Sequence, residues 1–236
     1  MNNQNTPDNN NDRTTDILNE ILDNYREINK LSENSDNNKF SYFLYWKRKE
    51  SRLLKRELER PRKFYKKYKR GTLIRVDFGV NIGAEFSQIH YAIVLNKNDN
   101  RKNKILNVIP LTSKDKNNTL NIGTVVFNNY IKNTRRQLSK VKKENETVKK
   151  ELKTAEDIEK QCKKLDKEIE KLDEIINYYS DNPIFSFACY KNITTINKTR
   201  ILPEINEYDF INRTQCDSET MNKLDQKIIE YYTNFE

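Results

Sequence analysis

GTLIRVDFGVNIGAEFSQIHYAIVLN, residues 71–96, is the stretch that decides the architecture. In GTLIRVDFG, apolar and polar residues alternate, the period of a strand with one buried face. HYAIVLNK (90–97) and KILNVIPLTS (104–113) follow as short apolar runs rich in branched residues, again strand-like. NIGTVVF (121–127) reads as another strand, and after a long interruption IFSFACYKNITTI (184–196) resumes the pattern. Short strands joined by small turns predict a closed antiparallel sheet. A helix beginning near Asp217 or Ser218 follows, with Met221, Leu224, Ile228 and Tyr231 or Tyr232 as its buried face.

The interruption, 131–180, contains no Gly or Pro. Leu138, Val141, Val148, Leu152 and Ala155 follow one heptad frame, with Asn145 at a core position. Ile158, Cys162, Leu165, Ile169, Leu172, Ile176 and Tyr179 follow a second frame. The frame shifts at TAED (154–157), which reads as a capping box with Thr154 as cap and Asp157 in place of the usual Glu. One helix of ~45 residues would span ~68 Å. The strands on either side must lie near one another, so the chain has to return. The expectation is an antiparallel helical hairpin turning near Lys153–Ala155; a continuous helix with a stammer is the competing reading.

Upstream of Gly71 the texture is different. Residues 1–12 are rich in Asn and Asp and read as disordered. A helix capped by Thr15 or Asp16 comes next, with Ile17, Leu18, Ile21, Leu22, Tyr25 and Ile28 on one stripe, and SENSDNN (32–38) breaks it. A second helix over 40–60 stops before Pro61, because proline disfavours helical geometry in its predecessor. It opens on Phe40, Tyr42, Phe43, Tyr45 and Trp46 and then turns basic, as does RKFYKKYKR (62–70). Basic residues interleaved with aromatics suit single-stranded RNA, whose bases stack and whose phosphates pair with cations. The plainer reading is that the aromatics serve packing.

Composition narrows the classes. Hydrophobic residues make up 35% and charged residues 33%, so much of the chain is solvated or extended. The net charge of +9 is uneven. Residues 1–40 carry four basic and eight acidic groups, 41–70 thirteen and three, and 131–180 fourteen and eleven. A basic block beside a nearly balanced remainder points to a polyanion partner. No run of about 18 apolar residues predicts a membrane span, and the polar start MNNQNTPDNNND does not resemble a secretory signal. Cys162, Cys189 and Cys216 have no metal-like spacing and read as reduced thiols of a cytoplasmic protein. With His90 the only histidine, no metal site and no cofactor is expected.

Arg70-Gly71, Asp77-Phe78-Gly79, the Gly83-x-Glu85 loop, the apolar strand after it, and Pro110-Leu111-Thr112-Ser113 together resemble the MazF/PemK family of toxin endoribonucleases. NITTINKTRI (192–201) resembles the family's strand-and-turn segment, and DSETMNKLDQKIIEYY (217–232) its C-terminal helix. The likeness covers about 115 residues in two blocks. It implies an α+β fold: an SH3-like β-barrel (MazF/CcdB-like) over 70–130 and 181–236, with a C-terminal helix. The N-terminal helical extension, 1–69, and the hairpin, 131–180, are additions. It also implies a homodimer and a cognate antitoxin protein that covers the site. The departures are specific. The family's usual loop Ser is Ala84, and its Arg-Pro pair reads His90-Tyr91, so the sole histidine stands where a catalytic arginine is usual. Positions that carry a charged Arg/Asp set in some members are Cys189 and Lys191.

Metal-independent RNA cleavage uses the 2′-OH as nucleophile. A base removes its proton, an acid protonates the leaving 5′-oxygen, and fixed donors stabilise the phosphorane. Imidazole suits the first two roles, since its unperturbed pKa is about 6.5. The resemblance makes His90 and Thr112 the catalytic candidates, with Thr112 donating to a non-bridging oxygen. Ser87, Gln88, Ser113, Lys114, Lys191 and Arg70 are the RNA-binding candidates, and Glu85 reads as a loop-fixing carboxylate. Such a protein is expected to cut single-stranded RNA, mRNA in particular, and to spare DNA. The competing readings are a nucleic-acid-binding module that has lost catalysis, and an interaction scaffold that docks partners through its helices.

Overall fold

The computed structural model describes residues 9–35, 38–123, 125–151, 155–181, 187–209 and 211–234. It divides into two compact units, Met1–Pro61 with Gly79–Gln88, and Arg62–Phe78 with Ile89–Glu236.

The first unit holds α1 (Asn9–Ser32), α2 (Asn38–Ser41), α3 (Phe43–Glu59) and the loop 79–88. α1 begins at Asn9, six residues before the expected cap, so residues 9–12 are helical rather than disordered; Asp12 in the first turn favours the positive end of the helix dipole. The remainder of that expectation, 1–8, lies outside the described residues. Ile17, Leu18, Ile21 and Leu22 do lie on one side of α1, but they remain exposed. The predicted break holds: Ser32 Oγ donates to the Asn29 carbonyl at 2.6 Å, which competes with continued helix. The expected 40–60 helix is divided at Tyr42 into α2 and α3. Phe43 and Trp46 are buried, and Tyr25 meets Phe43 edge-on at 5.0 Å, so these aromatics serve packing. α3 stops at Glu59, and Arg60 is non-helical (φ −144°, ψ 74°) ahead of Pro61.

The second unit is a mixed α+β body around a six-stranded antiparallel sheet. Its strands are β1 (Leu73–Asp77), β2 (Ile89–Val94), β3 (Ile105–Thr112), β4 (Leu120–Asn121), β5 (Phe187–Ala188) and β6 (Thr194–Asn197). The order is β1-β2-β3-β5-β4, with β6 also paired to β3. The sheet is open, not closed as expected. After β6 a 3-10 turn, Lys198–Arg200, interrupts the strand, and only an isolated bridge, Val76 to Ile201, meets β1. The alternation in the sequence becomes two buried faces. Leu73, Ile93, Ile109 and Leu111 pack on one side with Ile175, Met221 and Leu224 from the helices. Each fully buried Leu or Ile stabilises by about 1.5–3 kcal/mol.

NIGTVVF is not a strand. β4 ends at Asn121, whose Oδ1 accepts the Gly123 N–H at 2.8 Å while Gly123 takes φ +72°, and α4 (Val125–Glu151) begins two residues on. IFSFACYKNITTI gives two strands, β5 and β6, separated by a 3-10 turn at Tyr190–Asn192; its first residues, 184–186, lie outside the described residues. α5 spans Ala155–Asp181 and packs along α4. Leu138 and Val141 meet Leu165, Ile169 and Leu172, and Asn145 Nδ2 donates to Asp166 Oδ1 at 2.8 Å. This is the antiparallel hairpin expected; its turn and the Thr154 cap lie outside the described residues. The second heptad frame errs at one end: Ile175, not Ile176, is fully buried, because α5 turns that face to the sheet.

α6 (Ser218–Tyr232) starts as predicted, with Asp217 Oδ1 accepting the Thr220 N–H at 2.7 Å. Met221 and Leu224 are buried and Ile228 packs beside them, whereas Tyr231 and Tyr232 are half exposed. No helix among the described residues is long and apolar enough to cross a membrane.

Candidate functional site at a fork in the sheet

β2 and β3 pair only through Ala92–Pro110, Ile93–Ile109 and Val94–Val108. Beyond Pro110 the ladder stops, though both strands continue. β2 keeps β1 as neighbour, with His90 opposite Val76, while β3 turns to β5, with Thr112 opposite Phe187. Pro110 has no N–H, and its carbonyl accepts the Cys189 N–H at 2.9 Å on the β5 side. Continuing the β2–β3 register two residues past Ala92–Pro110 brings His90 level with Thr112. Side chains alternate faces, so His90 shares the face of Ala92, and Thr112 that of Pro110. The two catalytic candidates thus flank one fork on one face of the sheet.

His90 is half-buried, with the Phe78 ring 6.4 Å away centroid to centroid. Thr112 is also half-buried, and its Oγ1 accepts the Lys114 N–H at 3.2 Å. That bond occupies a lone pair and leaves the hydroxyl hydrogen to donate. It also bends the chain so that Ser113 and Lys114 follow immediately, both exposed. Two aromatics that sequence reading missed accompany this pair: Phe78 beside His90, and half-buried Phe187 across from Thr112. The signal for Phe187 was its alternation within IFSFACY, but its partner strand is not legible without the register.

The remaining candidates are elsewhere or already engaged. Arg70 donates to the Leu95 carbonyl and to the Asp225 carboxylate, at the end of the β1–β2 pair remote from His90. Its guanidinium ties β1 to α6 and is not a spare phosphate ligand. Lys191 lies in the turn after β5, with its ammonium 4.4 Å from the Tyr231 ring centre and its carbonyl accepting the Tyr232 hydroxyl at 2.9 Å. Ser87 and Gln88 belong to the first unit's loop. Ser87 Oγ donates to the Glu85 carbonyl and accepts the Asn81 N–H, both at 3.1 Å, while Gln88 at φ +69° donates its N–H to the Gly79 carbonyl at 2.5 Å. Lys39 Nζ adds bonds to the carbonyls of Asn81 and Gly83 at 3.1 and 2.8 Å. The backbone of this loop is therefore fixed by Asn81, Ser87 and Lys39, the part assigned to the Glu85 carboxylate from sequence.

Burial pushes the Cys189 thiol up to about 11, against the opposing pull of Lys116. At neutral pH position 189 supplies a neutral thiol rather than a charge. Among the described residues, no group of three or more His, Cys, Asp or Glu is placed to hold a metal ion. Compared with known proteins, the chain matches no family model and no curated protein.

Proposed function

We propose that this chain is a metal-independent endoribonuclease of the MazF/PemK kind, the toxin of a type II toxin–antitoxin pair, cutting single-stranded RNA by 2′-OH attack. The observation that carries the reading is the fork: beyond Ala92–Pro110 β2 and β3 part, with His90 on the β2 arm and Thr112 on the β3 arm. In this reading His90 takes the 2′-OH proton as the P–O2′ bond forms and, as imidazolium, gives it to the 5′-oxygen as the P–O5′ bond breaks, while Thr112 donates to a non-bridging oxygen. Ser113 and Lys114 hold the phosphate, and half-buried Phe187 offers a ring against which a base can stack. The finer fold reading is an SH3-like barrel left unclosed. What supports it is the succession β1-β2-β3-β6, then a 3-10 turn, then Ile201 bridging Val76 and the Leu202 N–H donating to the Arg75 carbonyl at 2.8 Å. A homodimer, a cytoplasmic setting and an antitoxin over the fork belong to the same proposal.

The test is incubation of purified protein with defined single-stranded RNA in EDTA, beside His90→Ala and Thr112→Val, with mapping of new ends. The expected result is discrete cuts ending in 2′,3′-cyclic phosphate, at least ~100-fold slower in His90→Ala, the usual contribution of a general acid–base group. Equal cutting by a folded His90→Ala protein would remove His90 from the mechanism. A second reading, a binding module without catalysis, draws on the engagement of Arg70 by Asp225 and the absence of a charge at Cys189. RNA bound but uncut by protein freed of antitoxin would favour it.

A further inference from the structure

RKFYKKYKR (62–70) is neither helix nor strand and is fastened within the second unit at Tyr65 and Tyr68. Tyr65 and Tyr68 are buried, at 8% and 6% exposure. The Tyr65 N–H donates to the Arg101 carbonyl at 2.8 Å, and the Tyr68 N–H to Asp99 Oδ2 at 2.9 Å. Between them, Lys198 Nζ reaches the Lys66 carbonyl at 3.1 Å. The segment therefore lies beside the loop joining β2 to β3, NKNDNRKNK (96–104). That loop is itself pinned: Asn100 Oδ1 accepts the N–H groups of Lys102 and Asn103 at 2.8 and 3.0 Å.

Charge is sorted across this assembly. The two stretches contain ten Lys or Arg and one acid, Asp99. Asp99 is buried against Lys198, 2.7 Å from both carboxylate oxygens, so it offers nothing to the outside. Lys66 is matched by Glu204 and Arg70 by Asp225. Lys63, Lys67, Lys97, Arg101 and Lys102 are exposed and form no ion pair among the described residues. Phe64 stands among them, 61% exposed. Holding so many like charges on a rigid rim raises self-repulsion in the free protein, which a polyanion relieves.

We propose that this rim, at the tip of the β2–β3 hairpin, binds a single strand of nucleic acid. The lysines and arginines track the phosphates, and Phe64 stacks on a base. An acidic protein fits less well, because Phe64 is the only large apolar side chain exposed in the two stretches, too little to make the apolar centre of a protein interface. The surface lies at the opposite end of β2 and β3 from the fork, and the proposal stands whether or not the protein cuts RNA.

The test uses the full chain and a labelled oligodeoxythymidylate of about 20 nucleotides, which lacks the 2′-hydroxyl and cannot be cut by the mechanism above. Binding is read by anisotropy across a salt series. The triple variant Lys67→Glu/Arg101→Glu/Lys102→Glu should bind at least ~30-fold more weakly. Its log–log salt slope should be shallower by about 2, since each single-strand phosphate contact contributes ~0.7. Phe64→Ala should weaken binding by about 5–10-fold and leave the slope unchanged. All four substitutions on the rim are at exposed positions, and thermal melting verifies that each variant is folded. Unchanged affinity and slope in the triple variant would overturn the proposal. So would a polyglutamate of equal charge competing as well as the oligonucleotide, or a duplex binding tighter than the single strand with no loss in Phe64→Ala.

Discussion

Gly79→Ala is the perturbation whose cost the geometry defines best. Gly79 sits at φ +78°, and a Cβ there would lie 2.2, 2.5 and 2.7 Å from Cε2, Cζ2 and Cδ2 of Trp46. Carbon atoms in contact stand ~3.5–4.0 Å apart, so the indole must move by more than about 1 Å. Trp46 is only 2% exposed and has little room to yield. The left-handed backbone costs about 1–2 kcal/mol for a residue with a side chain. A stiffer unfolded chain returns about 0.4–1 kcal/mol. Full expulsion of the indole would forfeit ~200 Å² of burial, or about 5 kcal/mol at ~25 cal/mol/Å². A partial shift puts the total near 3–5 kcal/mol. Gly83 in the same loop is the internal control: φ is +57°, but no atom lies within 4 Å of its Cβ position, so Gly83→Ala should lose only about 1 kcal/mol. Trp46 is the sole tryptophan, so its emission reports on this contact directly. Gly79→Ala should shift the emission to the red and lower the urea midpoint; Gly83→Ala should leave the emission unmoved. Equal losses in the two variants, with Trp46 still emitting as a buried indole, would refute the steric argument.

Two further outcomes concern the second unit. Lys198→Met leaves the Asp99 carboxylate buried without its cation and should cost about 3–5 kcal/mol at pH 7 in urea unfolding. Burial acts to raise the Asp99 pKa, but the hydrogen bonds from Lys198, the Tyr68 N–H and Asn103 outweigh it and hold the carboxyl below its ordinary value. Its stabilisation is thus present above the unfolded pKa of about 3.9 and is lost as pH falls through the lower folded value. Lys198→Met removes a group that holds the folded value down, so the acid-side loss contributed by Asp99 should shrink and the deficit relative to the parent should be smaller at low pH than at pH 7, which unfolding series at several pH values check. Asn145→Leu removes a buried amide whose Oδ1 has no hydrogen-bond partner among the described residues, and should raise the melting temperature by the equivalent of about 1–2 kcal/mol. A drop in melting temperature would mean that the Asn145–Asp166 bond outweighs the orphaned acceptor.

What could be read from sequence follows how local each signal is. β1 was legible because its residues alternate, β2 and β3 because short apolar runs rich in branched residues suit strands, and α6 because Asp217 caps it within one turn. The hairpin was legible because two heptad frames repeat in a segment without Gly or Pro. The Val-Val-Phe run at 125–127 misled because branched and aromatic residues suit either state when context decides; here Gly123 at positive φ ended the strand and helix followed. Closure of the sheet failed as an expectation because it depends on whether β6 continues through Lys198–Arg200, and those residues form a 3-10 turn. The candidate cations were misjudged for a related reason. Arg70 looked available because its partner, Asp225, stands 155 residues away. Lys198 drew no notice for the same reason, since Asp99 is 99 positions away.

His90 and Thr112 illustrate the converse. Their association was taken from a resemblance, since nothing in the 21 residues between them says that they are level. Three paired positions, Ala92–Pro110 to Val94–Val108, fix the slip between β2 and β3; carried two residues past the end of the ladder, that register puts the imidazole and the hydroxyl on one face, and one slip in either direction would put them on opposite faces. The same register separates the two surfaces argued above. From His90 to Leu95 the strand rises by ~3.3 Å per residue, about 17 Å in all, so the fork and the cationic rim occupy opposite ends of one rigid hairpin. Charge changes at the rim therefore leave the fork's side chains in place, and loss of His90 leaves the rim intact. The proposed cleavage and the proposed binding are thus separable by substitution, one end of the hairpin at a time.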